Sequence, residues 1–193
     1  LENEYNDNPI TIYGQTKLRC EKLGEILKNS KIDFRCIRFP GIISATSMPS
    51  GGTSDYVPEM IHSAAQNKDY FCFVNKNTTL PFIVMPDAIN AMIKIMDTNK
   101  SNLKKNVYNI TSFSQTAEQF SILISQYFNK FNIKYKVNKK RQEIVNSWPE
   151  SINQNDAIND WGWAPEYNLS NAFNIYLIPT ITAYYISKKG DLC

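Results

Sequence analysis

Apolar positions recur along this chain with two different periods, and the changes of period divide it into elements. Over residues 11–29, Tyr13, Lys17, Cys20, Gly24 and Leu27 fall on one stripe at helical spacing, which predicts a helix. Residues 33–39 predict a strand that ends at Phe39-Pro40-Gly41. A helix followed by an apolar strand is how a unit of a parallel α/β sheet ends, and ligand loops gather beyond such strand ends. The stretch 48–54 is rich in Gly, Pro and Ser and predicts a loop. Residues 55–66 predict a helix, and 70–74 and 82–85 short strands. A further helix is expected from Asp87, placed to cap it, because Ile89, Met92, Ile93 and Met96 recur at i, i+3, i+4 and i+7.

In the second half, residues 107–110 predict a short strand, and Thr116 with Gln119 a capping box. The helix behind that box carries Phe120, Leu123, Ile124, Tyr127, Phe128 and Phe131 on a wide apolar face, which predicts core packing. Ile133, Tyr135 and Val137 alternate with Lys134 and Lys136, as in a half-buried strand. The run Lys139-Lys140-Arg141 reads as a solvated face. After Trp148-Pro149 a short helix is expected to end near Gly162, and a last amphipathic helix to begin near Leu169 and kink or stop at Pro179.

Composition narrows the class. The 193 residues suffice for one compact core. The net charge of +3 is spread among Asn, Asp and Glu rather than gathered into a basic stripe, so nucleic acid is not an expected partner. Cys20, Cys36, Cys72 and Cys193 form no CxxC pair and have only His62 to help them bind metal, so free thiols in a reducing compartment are expected, and no metal. No apolar run approaches the roughly twenty residues of a membrane span. No signal-peptide pattern opens the chain, which starts at Leu1 as though inside a longer protein, so a cytoplasmic or mitochondrial location stays open.

One motif carries chemistry. Tyr13-Gly14-Gln15-Thr16-Lys17 puts a phenol and an ammonium four residues apart on one helical face. A phenol is a poor base at neutral pH, but a cation beside it stabilises the phenolate, which can then take a proton from a substrate hydroxyl. That raises electron density on the carbinol carbon, whose hydrogen can leave as hydride to a nicotinamide. The spacing alone is not specific, because Tyr135 with Lys139, Tyr184 with Lys188 and Tyr185 with Lys189 share it. Only Tyr13 is followed by Gly, opens a helix and precedes Arg35-Cys36-Ile37-Arg38-Phe39-Pro40-Gly41 by one element.

Those two segments resemble the catalytic helix and following strand of the extended short-chain dehydrogenases. Pro81-Phe82-Ile83-Val84-Met85-Pro86-Asp87-Ala88-Ile89 is similar to the family's strand-to-helix return, and Asp160-Trp161-Gly162-Trp163-Ala164-Pro165 with Leu169 to its C-terminal signature. Two segments resemble the L-threonine 3-dehydrogenase branch: Pro49-Ser50-Gly51-Gly52-Thr53-Ser54-Asp55-Tyr56, and Arg141-Gln142 through Ser147-Trp148-Pro149-Glu150-Ser151-Ile152. Ser50 stands where that branch has Gly, a change that could restrict the loop. An ordinary helix entry capped by Ser54, and plain core packing of Trp148, are the competing explanations.

The resemblance implies an α/β fold, the C-terminal portion of a Rossmann-type enzyme. Residues 1–45 and 79–112 would be the distal part of the Rossmann-like domain, and 46–78 and 113–193 the substrate-binding region. It implies NAD-dependent oxidation of L-threonine to 2-amino-3-oxobutyrate, with Tyr13 as base and Lys17 as its activator and ribose contact. Phe39, Pro40, Gly41 and Ile42 would border the nicotinamide, Thr53 would hydrogen-bond the substrate and Trp148 would help close its pocket. A homodimer is implied for the full-length protein. Asp87 is expected to cap rather than serve the site, and His62 to be structural or on the surface. None of the seven glycines forms the dinucleotide cradle, and the family's Ser or Thr before the catalytic helix has no counterpart here, so this chain alone is expected to be inactive. The alternatives are a nucleotide-sugar epimerase or dehydratase, whose diphosphate would need charges that Gly51-Gly52-Thr53 does not offer, and a noncatalytic protein that keeps the fold.

Overall fold

The structure, a computed structural model, describes residues 9–27 and 31–190, without the side chains of 189 and 190. The expected helix end at Asn29, and Cys193, lie outside the described residues. Helix α1 (Ile12–Leu27) opens at Thr11, whose Oγ1 accepts the Gly14 N–H at 3.1 Å and satisfies one of the donors a helix start leaves free. Strand β1 (Cys36–Arg38) follows and pairs in parallel with β5 (Val107–Asn109).

The strand predicted over 33–39 is shorter than expected, and a second one, β2 (Gly41–Ile43), begins after Pro40. Pro40 has no N–H to give a ladder, so pairing lapses there and the chain changes partner. β2 lies parallel to β4 (Thr79–Val84), whose other edge takes β6 (Phe113–Thr116) antiparallel. A third pair, β3 (Tyr70–Cys72) with β7 (Ile133–Tyr135), is again parallel. The fold is α/β, with parallel pairing in all three sheets.

Two apolar clusters hold the layers. The larger joins β3 and β4 to α2 (Tyr56–Ala65), α4 (Ala117–Tyr127) and the C-terminal helix, with Tyr56, Phe82, Phe120 and Phe173 buried at its centre. The smaller gathers Ala88, Ala91 and Ile95 of α3 (Met85–Asp97) against Tyr108, Ile110, Trp161 and Trp163. The capping box forms as expected: Thr116 Oγ1 accepts the Gln119 N–H at 3.0 Å and Gln119 Oε1 accepts the Thr116 N–H at 2.8 Å. Of the apolar face behind it, Phe120 and Ile124 are buried, and Leu123, Tyr127, Phe128 and Phe131 pack around them.

Four expectations need correction. Helix α3 starts at Met85 with Pro86 in its first turn, and Asp87 does not cap it. Its predicted stripe, Ile89, Met92, Ile93 and Met96, is exposed, because the small Ala88 and Ala91 let the opposite face approach the sheet closely. The solvated face expected of the basic run holds for the exposed Lys139 and Lys140 but not for half-buried Arg141; the run opens a helix, α5 (Lys139–Asn146), capped by the Asn138 side chain, which accepts the Arg141 N–H. The last helix runs through Pro179: α7 (Leu169–Asn171) passes through a π turn (Ala172–Leu177) into α8 (Ile178–Gly190). The wider turn relieves the clash between a proline ring and the carbonyl one α-turn back. Helix α6 (Asn155–Trp161) stops where expected, at Gly162 in the left-handed region with φ 65°.

Candidate active site

At 3.6 residues per turn, Tyr13, Lys17, Glu21 and Gly24 lie within an arc of about 80° on α1. Gly24 is buried, and a Cβ there would lie 2.1 Å from the Phe34 ring, so this face meets the layer below at its closest point. Glu21 is held by Arg38 of β1 through a two-pronged pair, Nε to Oε1 at 2.7 Å and Nη2 to Oε2 at 2.6 Å. Glu21 is also the carboxylate one turn from Lys17, and Arg38 engages both its oxygens. The Lys17 ammonium lies instead 5.4 Å from the Tyr13 ring centroid. Tyr13 is 71% exposed, so its phenol is open to a small alcohol.

The other arginine of the same strand segment works in the opposite direction. Arg35 Nη1 donates to the carbonyls of Ile95, Met96 and Thr98 at the C-terminus of α3, where a helix concentrates unpaired acceptors. Arg35 also holds the Asp33 carboxyl below its usual range through their hydrogen bond. The Arg-x-Ile-Arg pattern is thus a structural signature, one arginine tying the strand to α1 and the other to α3. Between them, burial pushes the Cys36 thiol up, with Glu21 adding to the shift.

Phe39, 36% exposed, and half-buried Pro40, Gly41 and Ile42 follow at the end of β1. A Cβ on Gly41 would stand 2.5 Å from the Phe82 ring and 3.3 Å from Ser54 Cβ, so the Gly-rich loop lies against this junction. The loop is built around Asp55. Its Oδ2 accepts the N–H groups of Ser50, Gly51 and Gly52 at 3.1, 3.0 and 2.7 Å. Asp55, not Ser54, is the residue before α2, and its carboxylate turns back to the loop rather than forward to the helix. Gly51 has φ 95° and needs to be glycine. Ser50 has no positive φ, so serine at that position brings no backbone strain. Thr53 is half-buried beside Ser54.

Trp148 is 37% exposed two residues beyond α5, which excludes plain core packing for it. Asp87 is fully buried and accepts the N–H groups of Glu166 and Tyr167 at 2.9 and 3.2 Å and the Ser112 hydroxyl at 3.2 Å, tying the C-terminal segment to the start of α3. His62 is structural: buried in α2, it meets Tyr185 Oη through Nδ1 at 3.1 Å, and burial pushes its imidazole below the usual value. Tyr184 and Lys188 repeat the phenol–ammonium pair, 4.7 Å from centroid to Nζ, on a helix far along the chain from any strand end. Spacing alone therefore does not mark a site. Among the described residues no three His, Cys, Asp or Glu side chains gather as a metal set, and no helix is long and apolar enough to cross a membrane.

Sequence reasoning found the phenol, the ammonium and the loop but not the groups that hold them. Arg38 with Glu21, Asp55 and Arg141 were missed, since pairing between distant residues leaves no periodic trace. Asp55 alone left a local signal, a carboxylate three residues after a Gly-Gly turn.

Residues 1–111 match the NAD dependent epimerase/dehydratase family. A mitochondrial L-threonine 3-dehydrogenase of Bos taurus is 36% identical over 162 residues, covering 83% of this chain and 43% of its own length. Two solved structures are similar: a monomeric L-threonine 3-dehydrogenase from a metagenome (42% identity, TM-score 0.86, 91% of this chain and 57% of that one) and an L-threonine dehydrogenase of Clostridium difficile (30%, TM-score 0.88, 94% and 57%). The chain spans about half the length of these relatives.

Proposed function

The chain belongs to the NAD dependent epimerase/dehydratase family, and on that basis we propose that it is the C-terminal part of an L-threonine 3-dehydrogenase. The reaction is oxidation of the β-hydroxyl of L-threonine, with NAD as acceptor, to 2-amino-3-oxobutyrate. The observation that carries this reading is the open Tyr13–Lys17 pair on the helix that Arg38 ties to β1, with the Asp55-centred loop lying against Gly41. Identity of 36–42% to enzymes named for this activity supports the substrate.

In this reading the Tyr13 phenolate, stabilised by the Lys17 ammonium, takes the hydroxyl proton and becomes the phenol. The donor set fits the nicotinamide end of the cofactor: Lys17 would meet the ribose, and Phe39, Pro40, Gly41 and Ile42 would border the ring. When bound, NAD would accept the hydride. Thr53 would hydrogen-bond the amino-acid substrate and Trp148 would cover it. Residues 1–45 and 79–112 would serve the cofactor, and 46–78 with 113–193 the substrate, although Trp161 and Trp163 of the latter pack into the α3 cluster. A cofactor-binding half packed on α1 and α3 would also bury the apolar side chains they expose, such as Leu23, Ile26, Met92 and Met96. The relatives include a monomeric enzyme, so the homodimer implied by resemblance is not a requirement of the fold.

The test follows NADH absorbance with L-threonine, and product formation by chromatography with a nucleotide sugar, for the full-length protein that carries this sequence. Threonine-dependent NADH formation is expected, and none from the chain of 193 residues alone. Turnover of the nucleotide sugar without response to threonine would replace the reading with an epimerase or dehydratase.

A further inference from the structure

Of the run Lys139-Lys140-Arg141, the two lysines are exposed, but Arg141 turns inward. Its guanidinium stacks 4.2 Å from the Phe73 ring centroid, and its Nη2 donates to the Gly51 carbonyl at 3.0 Å. Phe73 is itself fixed, nearly buried and edge-on to Tyr56 at the start of α2. The neighbouring Gln142 is buried and seats α5 firmly: its Oε1 accepts the Asn75 N–H at 2.7 Å, and its Nε2 donates to Thr78 Oγ1 at 3.0 Å and Asn146 Oδ1 at 2.7 Å. The Gly-rich loop is therefore gripped from two sides. Asp55 collects the N–H groups of Ser50, Gly51 and Gly52, and Arg141 takes the carbonyl of Gly51.

We propose that Arg141 is a positioning residue for the substrate, acting through this loop. Resting on the reading of Thr53 and Trp148 as substrate contacts, it locks the Gly51 peptide, sets the direction of Thr53 two residues on, and couples the loop to the helix that Trp148 leaves. Gly51 makes the lock necessary, because at φ 95° a glycine has other conformations nearby and nothing in its own side chain to choose among them. Lysine cannot replace arginine here, since the position asks for a planar group that stacks on a ring and donates at its edge together.

The test uses the full-length protein with Arg141→Ala and Arg141→Lys. Hydrogen exchange at the Ser50, Gly51 and Gly52 amides reports the lock without any substrate, and is expected to accelerate by about tenfold or more in both variants. With L-threonine, KM is expected to rise by about 5- to 10-fold while kcat and the KM for NAD stay within about twofold, the mark of lost substrate positioning rather than lost chemistry. Should Arg141→Ala fail to fold, Arg141→Lys keeps the charge and the stem and carries both readouts. Unchanged exchange overturns the proposal, as does an unchanged KM in an enzyme that oxidises threonine. A wild-type protein that ignores threonine but shows the exchange difference overturns the substrate reading and leaves the lock standing.

Discussion

Replacing Gly41 by alanine tests whether the junction between the two sheets is as tight as its geometry implies. The added Cβ would sit 2.5 Å from Phe82 Cε1 and 2.7 Å from Cδ1. The ring cannot retreat, because Phe82 is fully buried with Tyr56 edge-on at a centroid distance of 5.8 Å and Phe120 at 5.3 Å. Overpacking of this kind costs ~1–3 kcal/mol. Alanine in a strand regains ~0.5–1 kcal/mol of backbone entropy relative to glycine. The net loss then centres on about 1.3 kcal/mol within a span of about 0–2.5 kcal/mol, which at an m-value of ~2 kcal/mol/M lowers the urea midpoint of the full-length protein by about 0.6 M. Phe82→Leu makes room, so adding Gly41→Ala in that background is expected to lower the midpoint by less than half as much. An unchanged or higher midpoint for Gly41→Ala, or an equal drop in both backgrounds, would refute the argument.

Further outcomes follow from the buried polar groups. Asp87→Ala strands the Glu166 and Tyr167 N–H groups and removes the acceptor of Ser112, at a cost of about 3 kcal/mol, while Asp87→Asn keeps an acceptor and costs less than half as much; thermal unfolding of both checks this. The His62 ring is depressed in the folded state by burial, so the unfolded chain takes up its proton first on acidification. Its contribution to stability is complete above the unfolded value of ~6.5 and is lost as pH falls toward the lowered folded value. The urea midpoint is therefore expected to drop between about pH 7.5 and about pH 5.5 in the wild type and to change less in His62→Gln.

What the sequence disclosed divides along physical lines. Elements set by local rules were legible: α1 from its stripe, α4 from its capping box, the stop at Gly162 from the glycine itself. Elements made by tertiary pairing were not. β2 and β6 are three and four residues long and exist because β4 offers both edges to them. Periodicity gave α3 its helix but not its orientation, since alanine on the buried face outcompeted the larger Ile and Met by allowing closer approach. At the candidate site the phenol and ammonium were readable as a pair, yet Tyr184 with Lys188 has similar geometry, so only the neighbouring strand and loop distinguish Tyr13. Asp87 and Arg141 were misjudged for one reason: each bonds to backbone far away in sequence, 79 and 90 residues distant, where no spacing rule reaches.

The central claim is that the Tyr13 phenol performs the proton transfer. In the full-length protein, Tyr13→Phe removes one oxygen from an exposed ring and leaves the packing of α1 intact. Threonine-dependent NADH formation is expected to fall by about a thousandfold, with NAD affinity by fluorescence unchanged within about twofold. A Tyr13→Phe enzyme that keeps more than about a tenth of the wild-type rate would contradict the account.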